Sequence, residues 1–168
     1  MDVAGVLEEL YGRIPPLAES AVEGLDEDRL ARAPEGATNG IGWLVWHIAR
    51  LQDHHMSELL EVDQLWVTDG WAQRFDMEPD PDDMGYGHDP ERVASVRPED
   101  PQLLLDYLAA AQTRTESLLA GITEESLTEI IDRRWDPPVT LGVRLVSVAD
   151  DSLQHLGQAA YLRGLFGW

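Results

Sequence analysis

Apolar residues recur at helical spacing in four stretches of the chain. The first spans residues 2 to about 23, where Leu7, Leu10, Ile14, Leu17, Ala18 and Ala21 keep the period. Pro15 and Pro16 lie inside it and predict a kink or a split. A second helix is expected from about 40 to 63, with Leu44, Ile48, Leu51, His55, Leu59 and Val62 as its apolar stripe and Thr38 or Asn39 as its N-cap. A third runs from 101 to about 120 on Leu104, Leu108, Ala111, Thr115 and Leu118, opened by Pro101 after Asp100 and closed near Gly121. The fourth, from about 141 to 163, carries Val143, Val146, Ala149, Leu153, Leu156 and Ala160, with Gly164 as its stop.

Between these stretches the periodicity fails. Residues 24 to 40 pass from the acidic LDEDRLARAP into the turn-rich EGATNG. Residues 64 to 100 are the least regular and too long for a simple connection between bundle helices; they fit either a solvated acidic loop or a lid. TEIIDRRW is expected to be extended, and Pro137 and Pro138 after it bar a regular helix. The final LFGW is apolar and must pack, on its own core or on a second subunit. Four helical patterns with no convincing strand set predict an all-α bundle, and two long connectors predict a crossover topology.

Length and charge narrow the function. A chain of 168 residues suits one domain, 1–168, with a sizeable core. Its net charge is −20, and all 12 basic residues are arginines. Such a surface repels phosphate backbones and anionic membranes, so neither nucleic acid nor a membrane is an expected partner. No apolar run approaches the ~20 residues needed to span a bilayer. MDVAGVLEELYG lacks the basic start and apolar stretch of a signal peptide, so a cytoplasmic location is expected. With no cysteine, disulfides, thiolate zinc sites and a protein thiol nucleophile are excluded. With no lysine, so is Schiff-base chemistry.

The candidate chemistry lies on the fourth helix. Asp151 and His155 stand one turn apart on one face, in DDSLQHLGQ. A carboxylate and an imidazole so placed can share a divalent ion, or simply form an ion pair. A third ligand is needed, and His47 in IGWLVWHIARLQDHH is the best placed, beside the stripe of the second helix. Three ligands of this type leave an open position for water or substrate. Asp150 is turned away by about 140° on a helix of 3.6 residues per turn. His54 is too far along the helix to share an ion with His47. It falls behind the ligands or on the surface, His55 faces the core, and His88 is expected in solvent. There is no HExxH motif and no pair of Glu-x-x-His units, which argues against a zinc protease and a di-iron bundle.

At NGIGWLVWHIARLQDHH, RRWDPPVTLGVRLVSVADDSLQH and HLGQAAYLRG the chain resembles the DinB/YfiT-like family. It is closest to the branch that includes the mycothiol-dependent maleylpyruvate isomerase N-terminal domain. The resemblance implies a four-helix bundle of up-down-down-up topology with a long loop between helices two and three. It also implies a metal held by His47, Asp151 and His155. That branch usually carries glutamate at the middle position, where this chain has the shorter Asp151. The implied activity is that of a metal-dependent S-transferase or isomerase using a low-molecular-weight thiol such as mycothiol. Zinc is the expected ion, with a small-molecule electrophile as partner substrate and Arg144 or Arg163 available to orient an anionic group. The apolar YLRGLFGW and the family habit point to a homodimer. The alternative is a non-catalytic bundle that binds a small molecule or a protein and keeps a vestigial site.

Overall fold

The computed structural model describes residues 1–35 and 39–168. The first helical stretch divides at Gly12 and Arg13, into α1 (Val3–Tyr11) and α2 (Ile14–Val22). Pro15 and Pro16 fall in the first turn of α2, where a missing N–H costs no intrahelical bond. Ile14, Ala18 and Ala21 are buried as the period predicts, but Leu17 is exposed and Tyr11 takes a core position. The Tyr11 hydroxyl donates to the Leu145 carbonyl at 2.7 Å, tying this first unit to the last helix.

Next come α3 (Glu27–Ala31) and α4 (Ile41–Leu60). Gly40 is the N-cap of α4, not Asn39, and Thr38 lies outside the described residues. α3 packs so close that a Cβ on Gly40 would stand 2.6 Å from the Leu30 carbonyl oxygen. The predicted stripe of α4 holds at Leu44, Ile48 and Leu51, whereas Val62 is exposed beyond the helix end. Every residue from Ile41 to Asp53 is buried, polar and apolar alike, so α4 is the central helix.

The outer face of α4 is covered by the segment from 64 to 100. That segment is not one loop: its acidic run, residues 76–89, is irregular with most residues exposed, and the stretches on either side pack on the core. It forms α5 (Leu65–Thr68), α6 (Trp71–Arg74) and α7 (Pro90–Ser95), and buries Trp66, Trp71, Phe75, Val93 and Val96. Two buried charges of α4 hold it there. Asp53 accepts from the backbone N–H of Leu65 at 2.9 Å and of Trp66 at 2.8 Å, and from the Tyr107 hydroxyl at 2.8 Å. Arg50 donates to the carbonyls of Asp83 at 3.0 Å, Pro81 at 3.2 Å and Asp80 at 3.4 Å, and stacks over Trp66. The two charges stand 3.6 Å apart.

α8 (Pro101–Leu119) follows, with Asp100 accepting from the Gln102 N–H as its cap. A short hairpin of β1 (Ile130–Asp132) and β2 (Val139–Thr140) realises the extended reading of TEIIDRRW. Thr140 then caps α9 (Leu141–Phe166) through the Val143 N–H. This last helix runs past Gly164 and ends at Gly167, in the left-handed region at φ 74°. Its buried stripe is Leu141, Leu145, Val148, Ser152, Leu156, Ala159 and Leu162. Of the residues expected inside, Val143, Val146 and Ala160 are exposed, because the stripe that meets α2 and α4 is rotated away from them.

Four helical units, α1–α2, α4, α8 and α9, thus form an all-α fold with one two-stranded ribbon. Phe166 and Trp168 pack against the chain's own core, with the Arg32 guanidinium over the Phe166 ring. Arg163 donates to the carbonyls of Ala21 and Glu23 at the end of α2 and does not face the candidate site. Among the described residues, no helix is long and apolar enough to cross a membrane.

Asp53→Ala leaves the Arg50 guanidinium buried without its carboxylate. Urea denaturation should show a loss of about 3–5 kcal/mol.

Candidate metal centre

His47 sits in the middle of α4, where Trp43, one turn earlier, lies flat on its ring at 5.0 Å between centroids. Its Nδ1–H donates to the Met84 carbonyl, in the turn that Arg50 holds. A carbonyl only accepts, so Nδ1 carries the proton and Nε2 carries the lone pair. That Nε2 stands 3.2 Å from Oδ1 of Asp151, across the bundle on α9. His155, one turn further along α9, repeats the arrangement. Its Nδ1 donates to Oε1 of Gln158 at 2.8 Å, and its Nε2 is 3.6 Å from the same Asp151 oxygen. One donor atom from each of the three residues lies within 4.8 Å of the others.

Two imidazole lone pairs therefore face one carboxylate oxygen. Such a cluster repels itself unless protons or a cation lie between the acceptors. Donors bound tetrahedrally to zinc at 2.0–2.1 Å stand roughly 3.3–3.4 Å apart, close to the separations here. Asp151, although shorter than glutamate, reaches across from α9 to within 3.2 Å of His47 Nε2.

The turn behind His47 is built tightly. Trp43 Nε1–H donates to His88 Nδ1 at 3.2 Å, so His88 presents Nε2–H to Asp83, 2.7 Å away. His88 is not in solvent, since its side chain is 2% exposed. Burial raises Asp83, but the hydrogen bond from His88, the Gly85 N–H and the Arg92 charge bring it below the usual carboxylate range. Gly85 has φ +97°, and a Cβ there would lie 2.8 Å from Trp43 and 3.2 Å from His47 Nδ1. Only glycine meets both demands.

Beside the three residues a cleft of about 790 Å³ opens between α4, α9 and the hairpin. Tyr86 joins the two, since its ring meets His47 edge-on at 5.3 Å and also lines the cleft. On the wall, Arg144 donates to His55 at 2.6 Å and to Asp132 at 3.3 Å, and Asp132 is chelated in turn by Arg134. His55 is pushed down to about 3, first by burial and then by the charges of Arg144 and His54, with Asp151 opposing. It is a neutral acceptor for a guanidinium. His54 contacts the Pro81 carbonyl and Gln64, away from the three residues. Residue patterns alone placed Gln158 on the face of Asp151 and His155 but did not reveal its bond to His155, nor the Met84 carbonyl, Tyr86 or the Trp43 stack. The i, i+4 spacing of Trp43 and His47, and glycines on both sides of Tyr86, were the signals available.

A helical bundle that gathers two imidazoles and a carboxylate from two facing helices belongs to the DinB-like class. The chain belongs to the mycothiol-S-transferase family, whose model it matches over residues 16–167. It is also similar to a solved structure described as the conserved protein of locus from Enterococcus faecalis. The TM-score is 0.91 and the identity 36%, over 100% of this chain and 99% of that one. No curated protein matches.

Two outcomes follow from this geometry. Gly85→Ala should lower stability by about 1–3 kcal/mol through strained backbone alone, with the Trp43 and His47 collisions in addition, as read by thermal unfolding. His55 holds its proton less tightly folded than unfolded, so the unfolded chain binds more protons between about pH 6.5 and pH 3. Stability should therefore fall on acidification through that window, and His55→Gln should flatten the slope.

Proposed function

We propose that this protein is a metal-dependent S-transferase or isomerase-like enzyme that activates a low-molecular-weight thiol of the mycothiol type towards a small-molecule electrophile. The family membership supports the thiol chemistry. The observation that carries the metal is the pair of histidines whose Nδ1 atoms are engaged by Met84 and Gln158, leaving both Nε2 atoms turned to one oxygen of Asp151. Outer hydrogen bonds that hold the ring and its tautomer are the habit of metal-ligating histidine. His47, Asp151 and His155 are the proposed ligands. Nitrogen and oxygen donors of this set suit zinc and leave a position for an exogenous ligand.

When bound, a divalent ion lowers the pKa of a thiol that ligates it. The protein's own residues supply the rest. With no cysteine in the chain, the sulfur comes from the cosubstrate. Asp151 contributes the one negative charge among the ligands. Tyr86, whose phenol is pushed up by partial desolvation and the Asp151 charge against Arg144, stands between the ligands and the cleft with a hydroxyl to donate. The cleft beside it receives the electrophile.

Elemental analysis of the purified protein should find about one divalent ion per chain, lost in His47→Ala and in Asp151→Ala while circular dichroism shows an intact bundle. Gln158→Ala should weaken metal affinity about tenfold by chelator competition. A wild type that takes up no divalent ion even with added zinc would reject this reading in favour of a non-catalytic binding bundle.

A further inference from the structure

Six tryptophans are present, and five of them rest against another aromatic ring. Trp135 is the exception among the described residues. It sits at the tip of the β1–β2 hairpin, 65% exposed, and lines the cleft. An indole left in water at the mouth of a cavity is unspent apolar area, and a flat ligand that covers it recovers hydrophobic and ring-stacking free energy. Tyr86 is the second exposed ring, 61% accessible, on the side that meets His47. Val139 and Val143 add branched apolar surface between hairpin and α9.

The charges of the cleft discriminate against an anionic ligand. The guanidiniums of Arg134 and Arg144 are both joined to Asp132, and Glu58 and Asp82 add further negative charge to the lining. Arg134 chelates Asp132, Arg144 bridges Asp132 and His55, and Glu58 lies 3.9 Å from Arg144. An anion competes with Asp132 for the guanidiniums and loses its own hydration on entering. The anion also enters against the −20 of the whole chain. The volume of about 790 Å³ is that of a small-molecule site.

We infer that Trp135 is the specificity-determining residue of this cleft, stacking on the body of a neutral, planar electrophile, with Tyr86 orienting the end nearest the ligand histidines. This rests on the reading of the cleft as the electrophile site, but its test needs no metal.

The test is a matched pair of fluorescent probes titrated into metal-free protein. N-phenylnaphthylamine is neutral, and anilinonaphthalenesulfonate carries nearly the same rings with a sulfonate. The neutral probe should bind wild type at least about tenfold more tightly than the sulfonate. Trp135→Ala should weaken it about tenfold, and Trp135→Phe should restore most of the affinity. The hairpin tip is exposed, so thermal unfolding of both variants should match wild type. Equal binding by wild type and Trp135→Ala, an equal or tighter grip on the sulfonate, or no binding of the neutral probe would each overturn the inference. Zinc uptake, measured separately on the same preparations, tests the metal reading alone. A protein that binds the probe through Trp135 but no zinc would retain the aromatic subsite and lose the thiol-activation mechanism.

Discussion

The Arg50–Asp53 pair is the constraint on which the rest depends. Two full charges sit in the interior of the bundle on adjacent turns of α4, both fully buried. Buried ions persist only where every lone pair and proton finds a partner. Their partners are supplied mostly by the segment after α4. The N–H groups of Leu65 and Trp66 go to Asp53, and the carbonyls of Asp80, Pro81 and Asp83 go to Arg50. Arg114 and Ser57 complete the shell of Asp53 from α8 and α4. The segment is thereby fastened through its backbone, and its tryptophans and Phe75 are drawn onto α4 to bury apolar area.

The candidate metal centre inherits its order from that fastening. The turn gripped by Arg50 ends at Met84, whose carbonyl sets the tautomer of His47, and at Gly85, whose missing side chain lets the turn lie on Trp43 and His47. The same turn presents Met84 and Tyr86 to the cleft. One short piece of chain thus orients His47 and forms a wall of the cleft. On the opposite side, α9 carries Asp151 and His155 towards the site and Arg144 towards the cleft. The candidate metal centre and the cleft are built on consecutive turns of two helices, and a change in their spacing moves both.

All four helical stretches were legible because amphipathic spacing survives wherever a helix buries one face. Leu44, Ile48, Leu104, Leu108 and Leu156 are all inside. The weak places have physical causes. On α9 the visible valines 143 and 146 suggested a face that is in fact exposed, because Ser152 and small Ala159 occupy the contact stripe and carry little hydrophobic signal. On α4 a stripe was visible but the covering of the opposite face was not. Its polar residues Arg50, Gln52 and Asp53 look solvent-facing until their partners are known. His88 was misplaced for the same reason, since its burial depends on Trp43 and Asp83 rather than on its neighbours in the loop.

Residue identities and intervals alone settle what is local. They specify helices of given length, a carboxylate and an imidazole one turn apart on one face, and the absence of any thiol or lysine. These follow from backbone periodicity and composition, which need no distant contact. Tertiary packing decides whether His47 meets Asp151 across 104 positions, which ring nitrogen carries its proton, and whether an acidic, proline-rich segment lies in water or against the core. Those outcomes depend on long-range pairing of buried polar groups, an energy that belongs to pairs of residues and is written at neither position alone.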